Sequence, residues 1–154
     1  ARVGVHDAAV ARISHLPHVL AEALAIVGDN GGALALSLAA SSFRDGTRVA
    51  GTVPSLVRAM CETNNVALLA ALDETIDLLV DARANLAGEE SSVEELVDAG
   101  YRSRVRYEAR AGEARGGAST GGSNRPVLRV KPGAPKWVSQ LEQAEALGAR
   151  VDVF

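Results

Sequence analysis

The chain has 154 residues and a formal net charge of -3, and 47% of it is hydrophobic while only 3% is aromatic. A length of this order buries one core with a small appendage, and an Ala-, Leu- and Val-rich composition poor in aromatics excludes a β-sandwich in favour of packed helices. The acidic balance excludes a general nucleic-acid binder, which needs a basic face, and the lone Cys61 excludes an internal disulfide and suits a reduced, cytoplasmic compartment. With no His or basic cluster adjoining it, Cys61 reads as a partly buried core thiol. No run is expected to reach the roughly 20 apolar residues of a membrane span, and no basic-then-apolar leader is expected. The longest small apolar stretch, 33–40, is broken by Ser37. Ala1 opens the chain and a helical pattern follows almost at once, which reads as a domain excised from a longer protein.

Ile13, Leu16, Leu20, Leu24 and Val27 recur at spacings of three and four and predict a first helix over 5–27. Pro17 lies in its middle and predicts a kink or a break there. The run Gly28-Asp29-Asn30-Gly31-Gly32 should end that helix, with a short one following over 33–41. Residues 42–53 read as an ordered loop, and Pro54 suits the first turn of a third helix ending near Thr63. Asn64 is placed to cap a long helix over 65–86. There Val66, Leu69, Ile76, Leu79 and Leu86 fill one side, and Leu68, Leu72 and Val80 widen it. So broad an apolar face predicts burial in a bundle centre or a subunit interface. Ser92-Val93-Glu94-Glu95 has the form of a capping box opening a last bundle helix to about Arg110.

Composition then shifts. Residues 111–124 carry Gly-Gly twice with Ser and Thr and read as a flexible linker. Beyond it, 126–130 predicts a strand, 135–147 a helix and 149–154 a second strand. The fold class is therefore mainly α, a helical bundle over 1–110 with a small β-α-β tail over 125–154.

The chemistry-bearing residues concentrate in two segments. All three histidines, His6, His15 and His18, fall within 13 residues around Pro17, and Arg44 and Arg48 follow four apart in Phe43-Arg44-Asp45-Gly46-Thr47-Arg48-Val49-Ala50. Any one histidine alone reads as a packing or capping group. Clustered at a kink, they point to a handled charge or proton. Zinc would need three or four ligands, but only Asp7 adjoins the imidazoles and no Cys or third acid has the spacing, so no metal is expected. Guanidinium forks suit carboxylates, each bidentate contact being worth roughly 1.5–3 kcal/mol, or tenfold to several hundredfold in binding. A solvated surface pair is the plain alternative, less apt for Arg48, which precedes the inward-looking Val49-Ala50. Together these residues suggest a pocket for a small anion. Neither Gly31-Gly32 nor Gly116-Gly117 forms a dinucleotide fingerprint, and no P-loop, nucleophile elbow or Ser-His-Asp arrangement is visible.

His6-Asp7, then Ser14-His15-Leu16-Pro17-His18, then the Phe43–Ala50 segment, then Asn64 opening a Leu-rich helix, resemble the prephenate dehydrogenase family. Its members, which include arogenate and cyclohexadienyl dehydrogenases, serve tyrosine biosynthesis. The resemblance covers 1–110 and implies the all-helical C-terminal domain. The Rossmann domain with its GxGxxG loop and catalytic histidine lies outside this chain, so neither catalytic nor cofactor-binding residues are expected here. The implied reaction is oxidative decarboxylation of prephenate, or of its amino analogue arogenate, with NAD or NADP accepting hydride. By the same resemblance Arg48 holds a substrate carboxylate, Arg44 assists it, Ser14 and His18 line the pocket with His15 beside them, and His6 helps to shape it. It also implies a homodimer through intertwined long helices. Many relatives carry Trp just after the proline of the third helix, reaching toward the neighbouring subunit; here Leu56-Val57 stands in that place, which leaves the choice between the two substrates open. The tail resembles part of an ACT-type regulatory module. From the residues alone a second class stays open: a stand-alone helical interaction or regulatory protein whose basic loop binds an acidic small molecule. A third is a metal-dependent helical enzyme using the histidines.

Overall fold

The structure, a computed structural model, describes residues 3–116, 127–147 and 149–153. Helix α1 (Val3–Val10), a π-helical turn (Ala11–His15) and α2 (Leu16–Asn30) follow one another without a break. The π turn accommodates the proline. Pro17 offers no N–H to the carbonyl of Ile13, and its ring crowds that carbonyl. In the wider turn before it, the Leu16 N–H reaches the Ala11 carbonyl five residues back. Pro17 then occupies the first turn of α2, where a missing N–H does least harm. The helix ends at the glycines, with the Gly31 N–H on the Gly28 carbonyl at 3.2 Å and Gly32 at φ 72°, a conformation that favours glycine.

The buried face of this helix differs from the predicted one. Ala11, His15 and Ala21 are buried, whereas Ile13 is 78% exposed and Val27 68%. Small residues let neighbouring backbones approach, and the large apolar stripe is left outside. By length and composition Gly4–Asn30 is also long and apolar enough to cross a bilayer, with a mean hydropathy of 1.3. That corrects the expectation that no segment comes near such a span. Core helices of soluble proteins meet the same criterion, and this helix carries the buried polar ring of His15.

After α3 (Gly32–Ser37), the segment predicted as a loop is helical: α4 (Ser41–Thr47) runs into a 3₁₀ turn (Arg48–Gly51). Ser41, Ser42, Asp45 and Gly46 are poor helix formers, so contact with α2 must supply what propensity lacks. Glycines permit that contact. A Cβ on Gly46 would sit 3.0 Å from Leu24, and one on Gly28 2.4 Å from the Phe43 ring. Helix α5 (Pro54–Thr63) begins at its proline as predicted, and the 3₁₀ turn also packs on α2.

Helix α6 (Asn65–Ala87) buries Leu68, Ala71 and Ala82, while Val66, Leu69, Ile76, Leu79 and Leu86 are exposed. The Leu-rich side predicted to be covered is bare within one chain. A compact unit spans Val3–Asp77 and a second takes in the chain from Leu78 onward, the division falling inside α6. In the second unit α7 (Glu94–Gly116) is opened by Ser92, whose Oγ accepts the Glu94 N–H at 3.1 Å. Helix α7 passes its predicted end at Arg110, so the first residues of the expected linker are helical; 117–126 lie outside the described residues. In the tail, β1 (Val127–Val130) and β2 (Arg150–Val153) pair in parallel, Val127 opposite Arg150, with α8 (Trp137–Ala146) between them in sequence. The order strand, helix, strand is the predicted one, and Val130 and Ala144 are each 1% exposed, so even this short tail, expected to be too small to bury a core alone, encloses two residues.

Gly28→Ala should lower thermal stability by about 1–3 kcal/mol, because the new methyl displaces the Phe43 ring. In a Phe43→Ala background the same change should instead be neutral or stabilising, since alanine is then simply the better helix former. Paired thermal melts of the four proteins check this coupling.

Candidate functional site

Asn64 ties the N-terminal helix to the start of α6. Its Nδ2 donates to the Asp7 carbonyl at 2.9 Å and reaches Nδ1 of His15 at 3.3 Å. Asn64 stands just before α6, where its main-chain carbonyl accepts the Leu68 N–H at 3.0 Å as a residue at the N-cap position does, while its amide hydrogens are committed to the first helix and the π turn. A carbonyl oxygen can only accept, so the amide group must face Asp7. Nδ1 of His15 is then an acceptor, and in the neutral ring Nε2 carries the hydrogen.

His15 is 7% exposed and is the buried polar residue among those described. Its Nε2 has no partner among the described residues, yet no fully buried polar side-chain atom among them lacks one. The ring is therefore enclosed while Nε2 reaches an opening. His18 is arranged the other way. Its Nδ1 lies 2.9 Å from the Ser14 carbonyl, so Nδ1 carries hydrogen and Nε2 keeps its lone pair in the neutral ring. The Ser14 hydroxyl is half-buried and without a partner among the described residues.

The 3₁₀ turn that begins at Arg48 packs on α2, the helix that carries His18. The ionic environment separates Arg48 from its neighbours. Within Val3–Asp77, Arg12 bonds Glu74 at 3.0 Å, Arg58 bonds Glu62 at 3.0 Å, and Arg44 lies 3.7 Å from Asp45. Arg48 is exposed and has no such partner among the described residues. His6 and Arg44 are less well placed: the His6 side chain is 65% exposed beside Asp7, and that of Arg44 is 78% exposed. Neither bonds to another candidate residue. Sequence reasoning overlooked the bridging role of Asn64, whose partners lie 57 and 49 residues away. The Arg12–Glu74 pair, 62 residues apart, was likewise not legible.

Cys61 sits at an apolar groove lined by Val66, Leu68, Leu69 and Leu72. Burial, with the adjacent Glu62 carboxylate second, pushes its thiol up from the ordinary value. Both causes disfavour the thiolate, as the reading of Cys61 as a core thiol anticipates. At the position where the resemblance expects a large aromatic, Val57 is buried and Leu56 is 53% exposed.

The profile of the prephenate dehydrogenase dimerization domain matches residues 4–99. Among solved structures, a protein of Corynebacterium glutamicum described as a candidate prephenate dehydrogenase is 60% identical, with a TM-score of 0.86. The match covers 100% of this chain and 45% of that one. The arogenate dehydrogenase of Synechocystis is 32% identical with a TM-score of 0.61, over 66% of this chain and 39% of its own. A comparison with curated proteins gives no match. The chain thus spans less than half the length of these solved relatives.

Cys61 should react slowly with an aromatic disulfide reagent at pH 8, its rate levelling off only at a higher pH than that of an unperturbed thiol. The sign for stability is the same: a raised folded value favours the fold below the unfolded thiol's value, and that contribution is lost as pH rises through the folded one. A rate matching that of a short cysteine peptide would contradict the shift.

Proposed function

The chain belongs to the prephenate dehydrogenase family through its dimerization domain, and from that premise we propose that it is the dimerising, substrate-binding part of a cytoplasmic enzyme that oxidatively decarboxylates prephenate or arogenate. The parent protein would pass hydride to a nicotinamide cofactor, NAD or NADP, held mainly by a separate N-terminal domain. Within this chain, residues 1–110 would serve dimerisation and binding, the part of 111–124 beyond the end of α7 a linker, and 125–154 an appended tail.

One observation carries the binding role. Among the described residues Arg48 is left without a carboxylate partner, on a turn packed against the helix of His18. Prephenate has two carboxylates, and a guanidinium on a turn packed against α2, together with imidazole nitrogens left to hydrogen-bond, answers that charge. We assign Arg48 to a substrate carboxylate, Ser14, His15 and His18 to the wall of the same site, and Arg44 and His6 to its rim.

The dimer reading rests on apolar area. Val66, Leu69, Ile76 and Leu79 on α6 and Val97 and Tyr101 on α7 are between 46% and 81% exposed. Burial is worth roughly 25 cal/mol per Å² of apolar surface, so residues of this kind drive association when a like surface meets them.

In the full-length enzyme Arg48→Ala should raise KM for its substrate about tenfold to several hundredfold, with kcat changing far less. An unaltered KM would remove Arg48 from the site. The 154-residue chain by itself should sediment as a dimer and show no turnover, and a Leu69→Glu, Leu79→Glu double variant should sediment as a monomer. Turnover by the chain alone would refute the division of labour.

A further inference from the structure

We propose that Asn64 is a positioning residue: its amide sets which nitrogen of His15 bears the hydrogen, so that this ring meets the substrate as an Nε2–H donor. The inference rests on the substrate-binding reading above and adds to it a residue that would not itself touch the ligand.

The Asn64 amide has two hydrogens and both are placed. One goes to the Asp7 carbonyl at 2.9 Å, the other to Nδ1 of His15 at 3.3 Å. Turning the amide over would set its oxygen against the Asp7 oxygen, two acceptors face to face, so the orientation is fixed by an atom of the main chain. The neutral imidazole has one N–H. With Nδ1 accepting, that hydrogen is on Nε2, the atom of an otherwise buried ring that has no partner among the described residues. Such an N–H in a mostly desolvated setting is a strong donor to a carboxylate. The same atom as a bare lone pair would repel one.

His18 provides the contrast. Its Nδ1 is held by the Ser14 carbonyl at 2.9 Å, so its open Nε2 is the acceptor. Two rings three residues apart thus carry opposite tautomers, each set by a neighbour that the other lacks. Asn64 controls the first and leaves the second untouched.

Asn64→Asp tests this directly. A carboxylate can only accept, so it would draw the hydrogen to Nδ1 and leave Nε2 of His15 as a lone pair. Nitrogen NMR of the chain, labelled at its three histidines, should show His15 as Nε2–H in the native protein and Nδ1–H in the variant, with His18 unchanged as an internal control. In the full-length enzyme the variant should raise KM for prephenate at least tenfold while kcat moves far less. Asn64→Ala, which imposes no tautomer, should fall between. In a His15→Ala background neither change should raise KM further.

If Asn64→Asp does not fold, the native spectrum and the alanine kinetics decide. Native His15 found as Nδ1–H overturns the proposal. So does a KM that rises equally for both variants when His15 is already absent, since that would mark a purely structural tie. Should Arg48→Ala leave KM unaltered, it is the binding reading that fails. Should Arg48→Ala raise KM while a switched tautomer does not, only the role of Asn64 fails.

Discussion

A proline placed inside a helix is the constraint on which the rest depends. Pro17 withholds one amide hydrogen and crowds the carbonyl of Ile13, and the chain answers with a wider turn over Ala11–His15 instead of a break. π turns tend to occur where function needs a displaced side chain, because the extra residue rotates everything before it relative to everything after. Here the displacement buries Ala11 and His15 together. It also lets His18 reach back to the Ser14 carbonyl, and puts His15 where Asn64 can clasp it. Without the proline, a regular helix would separate these groups differently and the clasp would lose its partner.

The same helix shows why so much apolar surface is left outside. Its buried residues are Ala11, His15 and Ala21, and those of α6 are Leu68, Ala71 and Ala82. Small buried side chains let backbones come close but bury little area, so each contributes modestly. The large residues, Val66, Leu69, Ile76 and Leu79 among them, remain outside. A fold organised in this way keeps its strongest apolar surface for an external partner, which fits a domain whose family is defined by dimerization.

Much of this was legible in the sequence, and the failures have physical causes. Helix α5 was readable because Pro54 marks a first turn independently of context, and the tail because strand, helix and strand are short and cleanly separated. The segment of α4 was not, since Ser41, Ser42, Asp45 and Gly46 argue locally against the helix that contact with α2 imposes. The apolar stripes were found, but whether a bundle centre or a subunit interface covers the one on α6 was left open. Periodicity shows that a face is apolar, not whether the chain's own residues or a second copy will cover it. At the site, spacing around Pro17 singled out His15 and His18. It held no sign of their opposite tautomers, which depend on Asn64 and on a carbonyl oxygen.

Charge completes the case for the site. Exposed ion pairs contribute about 0–1 kcal/mol, so the fold loses little whether a given surface arginine is paired or not. The unit Val3–Asp77 nevertheless gives Arg12, Arg44 and Arg58 each a carboxylate, and Arg12 and Glu74 add a second tie between the first helix and α6 near the one Asn64 makes. Arg48 stands on a turn held against α2 by packing, so no ion pair is needed to fix its backbone. A cation that owes its position to packing has its full hydrogen-bonding capacity left for a ligand. A dianionic substrate would meet that guanidinium already oriented, with the side-chain ordering cost the main term left to offset.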